Sequence, residues 1–252
     1  MGLGDEIMAL GCVETAFEKT GKVHSIKCAI GTKRTHKIWN GNPAYDPATH
    51  THIVDGGGFR PYIKAWKNRQ AIYNLDYKAR AGKIYFDNSY RDNCPLVGPY
   101  AVIEPNIKLG ASPNKNWGMK RWAEVIKDFP IPVYQLVQDH KEKVVDGAIA
   151  HHTPDLYDAL AAIERAALVL CNEGGTHHMA ASMDTPAVVI FGSFVPPQVT
   201  GYDLHTNIAV ETEHGYCGKW EKCTVCQETL EGIKPDYVSE KAIKLLEKVN
   251  EN

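Results

Sequence analysis

The chain has 252 residues, 44% of them hydrophobic, with 28 basic and 30 acidic side chains for a formal net charge of −2. That is enough apolar material for one large core or two small ones, and too little excess positive charge for a general nucleic-acid binder. No apolar run reaches the roughly 18 residues that would span a bilayer, and no basic region followed by an apolar stretch opens the chain as a secretory leader would. Four of the seven cysteines, Cys12, Cys28, Cys94 and Cys171, are scattered. That distribution suits a reducing compartment better than a disulfide framework, so a cytoplasmic location is expected.

In chain order, Leu3-Gly4-Asp5 reads as a loop running into a helix over residues 6–19, which Gly21 closes as a C-cap. Residues 23–30 read as a strand. The stretch from Asn40 to Pro61, rich in Gly, Pro, Asn and Thr, reads as loops around a short strand at 52–54. A helix is expected over 64–75 and a short strand over 84–86. From there the pattern sharpens, with strands at 100–103, 133–137, 168–171 and 187–191 and helices at 122–129, 155–166, 176–183 and 238–249. Pro154 precedes the 155–166 helix, and Thr153 or Asp155 caps it. Strands alternating with helices imply α/β architecture with a parallel sheet covered on both faces. Pro and Gly cluster between Pro95 and Pro99, so the chain is expected to divide into residues 1–97 and 98–252.

Three segments carry chemistry. Asn172-Glu173-Gly174-Gly175-Thr176-His177-His178 follows an apolar strand and opens a helix. Its glycines admit a ligand close to the backbone, and the first helix amides favour an anion. Glu173 can accept hydrogen bonds from sugar or ribose hydroxyls. The plainer reading is a tight strand-to-helix turn. Asn106 to Trp117 also leaves a strand end, and its Lys108 and Lys115 supply positive charge where a diphosphate would sit; the plainer reading is a solvated loop. Gly2-Leu3-Gly4-Asp5 is neither a dinucleotide fingerprint nor a P-loop. It offers a carboxylate at a helix start, which serves either as an N-cap or in catalysis.

In this order the segments resemble glycosyltransferase family 9, the lipopolysaccharide heptosyltransferases. The resemblance rests on Gly4-Asp5, Lys115-Asn116-Trp117, Asn172 through His178, and Val188-Val189-Ile190-Phe191-Gly192. It extends to a tail from Cys217-Gly218 through Cys223-Thr224-Val225-Cys226 to Ile233-Lys234-Pro235-Asp236-Tyr237-Val238. It implies the GT-B architecture, two Rossmann-like domains with parallel sheets facing across a cleft, here with a reduced N-terminal domain. It also implies an inverting, metal-independent transfer from a nucleotide sugar (ADP-, GDP- or UDP-linked) to an acceptor hydroxyl. Asp5 is then the general base. Donor contacts fall to Asn106, Lys108, Ser112, Lys115, Trp117, Glu173, Gly174, Gly175, Thr176, His178 and Gly192. Glu173 stands where the family has Asp.

Gly4, Arg60 and Tyr62 are assigned to the acceptor, the last two from the loop Gly56-Gly57-Gly58-Phe59-Arg60-Pro61-Tyr62, which otherwise reads as a packed surface loop. The family acceptor is a glycan; a modified DNA base or a protein side chain is the alternative, since DNA is not excluded as a partner. A nucleotide-sugar epimerase and a non-catalytic nucleotide-sugar binding module are the competing functions. No cofactor is required by this chemistry. The adjacent pairs His151-His152 and His177-His178 lack metal-helix spacing. Cys217, Cys223 and Cys226, with His214 nearby, can supply a structural zinc, remain free thiols, or include one disulfide.

Overall fold

A long helix at the N-terminus, two sheets and a two-stranded hairpin organise the described residues of the chain, whose computed structural model covers residues 2–28, 31–55, 60–139 and 142–250. Helix α1 (Leu3–Thr20) starts at Leu3, earlier than the expected residue 6, so Gly4-Asp5 lies in the first helical turn and not in a loop. The reason is local. Gly2 is the extended N-cap, and its amide donates to Asp5 Oδ2 at 3.0 Å, so Asp5 is the third helical residue reaching back and not the cap itself. Gly21 ends the helix at φ +66°, donating to the Phe17 carbonyl as expected.

A small sheet follows, made of β1 (Ser25–Cys28), β2 (Lys33–Arg34) and β3 (His52–Asp55) in the order β2-β1-β3. β1 runs parallel to β3 and antiparallel to β2. The helix expected over 64–75 is instead a hairpin of β4 (Ile63–Lys67) and β5 (Gln70–Tyr73). Asn68 and Arg69 both take positive φ (47° and 60°), the requirement of a two-residue hairpin turn with the right twist. The hairpin edge is then claimed by a distant segment. Ala71 donates to the Gly218 carbonyl at 2.9 Å, Gln70 to the Cys217 carbonyl at 2.7 Å, and Trp66 meets Trp220 edge-on. Long-range pairing outweighs a helical pattern that lies wholly within the segment.

Residues 84–86, expected as a strand, join no sheet. The backbone just before them is taken by side chains, with the Lys83 amide on Glu14 and the Lys83 carbonyl on Asn42. Asp87 then caps α2 (Asn88–Asp92).

The main sheet contains β6 (Ala101–Glu104), β7 (Val133–Val137), β8 (Ile149–His152), β9 (Leu168–Asn172), β10 (Ala187–Gly192) and β11 (Thr206–Ala209). Its helices are α3 (Met119–Ile126), α4 (Leu156–Glu164), α5 (Gly175–Ser182), α6 (Pro197–Thr200), α7 (Thr224–Gly232) and α8 (Pro235–Asn250). Asp155, not Thr153, caps α4 through the Tyr157 amide. The six strands are parallel, in the order β11-β10-β9-β6-β7-β8.

Successive strand residues face opposite layers. Ala101, Ile103, Leu168, Leu170, Val188 and Ile190 pack in the core that includes residues of α3 and α8. Val102, Val169, Cys171, Val189 and Phe191 pack in the core that includes residues of α1, α4 and α5. α1 thus belongs to the same apolar core as the main sheet. No helix among the described residues is long and apolar enough to cross a membrane.

Strand order reverses once. From β6 the chain moves to β7 and β8 on one side, then returns to lay β9, β10 and β11 on the other. The carboxyl ends of β6 and β9 therefore bound the crevice where open α/β sheets bind ligands.

Gly11 marks the closest crossing over α1. A Cβ there would sit 2.8 Å from the carbonyl carbon of Arg80 and closer still to its oxygen. In an exposed helix, Gly→Ala stabilises by about 0.5–1 kcal/mol. Here Gly11→Ala is expected to destabilise by roughly 1–3 kcal/mol through overpacking, read as a lower denaturant midpoint at unchanged slope.

Candidate functional site

Two loops meet at the crevice, and side chains hold them together. Asn172, at the end of β9, donates to the Pro105 carbonyl at 2.6 Å in the loop after β6; its own Oδ1 is buried without a hydrogen-bond partner. Glu173 is 6% exposed and forms an ion pair with Lys115. The Lys115 ammonium also lies 5.2 Å from the Phe194 ring centroid. The two strand-end loops singled out in the sequence thus converge on one charged pair.

The residues around Lys115 fix its place. Ser112 is buried, accepts from the Asn114 amide and donates to the Lys219 carbonyl at 3.1 Å. Asn114 donates to the carbonyls of Lys219 and Glu221 and accepts from the Cys223 amide. Trp117 is fully buried, with its indole N–H on the carbonyls of Leu230 and Ile233 and its ring edge-on to Trp122 at 4.8 Å. Ser112 and Trp117 therefore hold the loop from inside the protein. Asn106 and Lys108 lie on its exposed stretch.

On the other loop, the Gly174 amide is taken by His177 Nδ1 at 3.0 Å, leaving Gly175 and Thr176 as the first residues of α5. Gly192 turns the chain at the end of β10 at φ +58°, packed against Leu230. His177 is fully buried and uses both ring nitrogens. Nδ1 accepts from Gly174, so Nε2 carries the proton and donates to the Thr200 carbonyl at 3.0 Å. Ligand atoms of Glu173, His177 and His178 lie within 4.8 Å of one another, but His177 has no lone pair left for an ion. His178 is 3% exposed, with Nδ1 2.5 Å from the Tyr202 hydroxyl. Burial pulls the pKa of His177 down and that of His178 well down, so both rings are neutral near pH 7.

Asp5 faces this assembly from the first turn of α1. Its carboxylate is 6% exposed and is oriented by three groups: the Gly2 amide, the Tyr62 hydroxyl donating to Oδ1 at 3.1 Å, and Arg60 Nε at 3.5 Å from Oδ2. Burial, then the Asp5 charge, pushes the Tyr62 hydroxyl well up, so it remains a donor. Arg60 and Tyr62, assigned to the acceptor from sequence, thus lie on the carboxylate itself. Gly56 to Phe59 of the same loop lie outside the described residues. Glu6 points elsewhere, paired with Arg34 at 2.7 Å. Gly4 packs against the His178 ring.

Sequence reasoning missed Tyr202, which has no local signal, and Glu104. Glu104 ends the apolar run Ala101-Val102-Ile103 at the crevice, and a carboxylate closing a buried parallel strand was the available clue. Burial raises its pKa to about 7, with the Asn106 amide on Oε1 opposing. Because the folded value lies above the unfolded one near 4.5, its contribution to stability is full below about pH 4.5 and is lost as pH rises through about 7. Glu104→Gln should remove that loss. Relative to wild type, the variant is expected to gain stability between pH 5.5 and about 8 in denaturant melts; an unchanged difference across that range refutes the assignment.

Cys217, Cys223 and Cys226 bring their sulfurs within 4.8 Å of one another as free thiols. His214 is exposed and is not part of that cluster.

The sequence profile of glycosyltransferase family 9 (heptosyltransferase) matches residues 20–229. No curated protein matches the sequence significantly. Among solved structures, the chain is similar to the iron-containing dodecameric glycosyltransferase TibC of enterotoxigenic E. coli H10407, at 15% identity and TM-score 0.68, covering 100% of this chain and 78% of that one. It is similar to a family 9 glycosyl transferase of Veillonella parvula DSM 2008, at 16% identity and TM-score 0.63, covering 98% and 95%. It is also similar to E. coli ADP-heptose lipopolysaccharide heptosyltransferase II, at 18% identity and TM-score 0.50, covering 68% of this chain and 55% of that one. At these identities the likeness establishes a shared fold, the GT-B architecture.

Proposed function

The chain belongs to glycosyltransferase family 9, and from that premise we propose that it moves a sugar from a nucleotide-sugar donor to an acceptor hydroxyl, inverting the anomeric centre without a divalent ion at the diphosphate. The observation that carries this reading is the convergence at the sheet's switch point. Lys115, Glu173 and the start of α5 line one side, and the Asp5 carboxylate faces them from α1. Residues 1–97 would supply the acceptor side and 98–252 the donor side.

The diphosphate takes the Lys115 ammonium and the amides that open α5, which together replace the charge of a metal ion. Glu173, released in part from Lys115, accepts hydroxyls of the donor. Asp5 accepts the acceptor's proton as that oxygen bonds to the anomeric carbon. The bond from that carbon to the diphosphate oxygen breaks on the opposite face, and the nucleoside diphosphate departs. Gly2, Arg60 and Tyr62 hold the carboxylate for this step. TibC has been solved with ADP-D-β-D-heptose, so an ADP-sugar is the first donor to test, ahead of GDP- and UDP-sugars. A glycan hydroxyl is the default acceptor, with a modified DNA base or protein side chain as the alternative.

The three clustered thiols suit a soft ion such as zinc or iron in a structural role. They lie on the segment that holds Ser112 and Asn114, so an ion there would steady the Lys115 loop from behind. Cys226→Ser is expected to abolish bound metal by elemental analysis and to lower the melting temperature. Chelation of exchangeable ions should leave turnover intact, and restoration of lost turnover by magnesium would overturn the metal-free diphosphate site.

Asp5→Asn retains size and the bond from Gly2 but cannot take a proton. Its kcat is expected to fall by about 10²–10⁴-fold at unchanged ADP affinity. Lys115→Ala should weaken ADP binding by roughly 10- to 100-fold, the worth of one charge-assisted hydrogen bond. Calorimetry of both variants beside turnover separates the roles. A fully active Asp5→Asn ends the base assignment, and unchanged ADP affinity in Lys115→Ala removes the lysine from the donor site.

A further inference from the structure

Helices α1 and α5 meet at their first turns. A Cβ built on Gly175 would lie 3.5 Å from Leu3 Cβ, an ordinary contact. One position along, the approach is far closer: a Cβ on Gly4 would lie 2.7 Å from His178 Nε2 and nearer still to its Cδ2. Only a residue without a side chain fits between the α1 backbone and that ring edge. The residue after Gly4 is Asp5.

The ring that Gly4 rests on is itself fixed. His178 Nδ1 lies 2.5 Å from the Tyr202 hydroxyl, and its ring lies tilted at 36° to that of His177, the centroids 3.9 Å apart. His177 in turn is locked by the Gly174 amide and the Thr200 carbonyl. Tyr202 follows α6 and meets His177, His178 and His205 with its ring. Burial pushes the Tyr202 phenol up, so it stays protonated and donates to Nδ1, leaving the His178 proton on Nε2.

Asp5's other restraints, from Gly2, Arg60 and Tyr62, belong to its own half of the chain. The His178 edge reaches the neighbouring Gly4 from α5.

We propose that Tyr202 and His178 are positioning residues: Tyr202 fixes the His178 ring, and the ring edge against Gly4 sets the distance between the Asp5 carboxylate and the Glu173–Thr176 loop. This rests on the reading of Asp5 as general base. A base acts only within hydrogen-bond reach of its proton, and a displacement of about 1 Å costs on the order of 10²-fold in rate. His178 then serves through Gly4 and not as a ligand of the donor: Nδ1 is engaged by Tyr202, and the opposite edge is against α1.

The test uses the full chain with ADP-heptose as donor, following ADP release with water as acceptor and ADP affinity by calorimetry. Gly4→Ala is expected to lower kcat by roughly 10²-fold with ADP affinity within about twofold of wild type. Adding His178→Ala deletes the atoms the new methyl would strike, so the double variant should recover at least about tenfold over Gly4→Ala alone. Tyr202→Phe, which keeps the ring and the fold, should lower kcat by about tenfold without raising KM for the donor. Independently of turnover, nitrogen chemical shifts should show the His178 proton on Nε2 in wild type and a mixed tautomer in Tyr202→Phe.

A fully active Gly4→Ala beside an inactive Asp5→Asn sinks the brace alone, as does a double variant no better than Gly4→Ala. Loss of ADP affinity in Tyr202→Phe in proportion to kcat makes His178 a donor ligand instead. A wild-type proton on Nδ1 overturns the assignment whatever the rates. An active Asp5→Asn removes the base, and the catalytic sense of the brace with it.

Discussion

The ion pair between Lys115 and Glu173 is the constraint around which the rest of the site is built. A carboxylate as buried as Glu173 is costly unless a partner stays beside it, and removing one member of such a pair typically costs several kcal/mol. Lys115 therefore has to be delivered to one place at the end of β9 by a loop that starts at the end of β6. That requirement explains an otherwise odd set of buried polar residues. Ser112 and Asn114 are spent on backbone groups of residues 219–223, and Trp117 anchors the far end of the loop in the α3 and α8 layer. Asn172 ties the same loop to β9 through Pro105. None of these four side chains has to touch a ligand for the pair to depend on them.

The electrostatic setting follows from burial. His177, His178 and His205 form a packed aromatic group behind the Glu173 loop, and burial keeps all three neutral, His205 down to about 3. Positive charge beside the Glu173 loop therefore comes from Lys115 and helix amides rather than from imidazolium. Near pH 7 the three histidines therefore add no charge to the site. On the proposed reading, an arriving diphosphate would compete with Glu173 for one lysine, and Glu173 would accept donor hydroxyls in proportion as the lysine moves. On that reading donor hydroxyls would take the place of the lysine on Glu173, meeting the buried carboxylate with hydrogen bonds.

The parts of this arrangement that were legible in the sequence are those with a short-range signature. The strands β6, β9 and β10 show as apolar runs because both faces of a central parallel strand are covered. The loops beyond them stand out by glycine and lysine for the same reason, being the polar interruptions of an apolar alternation. Edge strands β8 and β11 have half-exposed, mixed sequences and carried no such signal. The β4–β5 hairpin was read as a helix because its stability comes from Gly218 and Trp220, about 150 residues away, and not from its own pattern. The sequence singles out Arg60 and Tyr62 as acceptor contacts, and their bonds to Asp5 are an addition from the structure. Their contact with Asp5 depends on how a loop folds back over α1, and no spacing rule encodes that.

The shift of Asp5 from a loop into the first turn of α1 changes what the fold does for it. A carboxylate on a loop can be placed anywhere its chain allows, whereas the third residue of a helix is placed wherever the helix is placed. α1 belongs to the core that also holds the α4 and α5 side of the main sheet, so its orientation is set by packing against the same layer that positions α5. Both helices then direct their N-termini at one crevice, and the positive ends of two dipoles add to the Lys115 charge. Two rigid helix starts are brought close enough that only glycine separates them at residue 4. A small N-terminal half with few strands of its own therefore does not imply a loosely held Asp5 carboxylate. The rigidity that a larger domain would supply comes here from α1 being shared with the core of the main sheet.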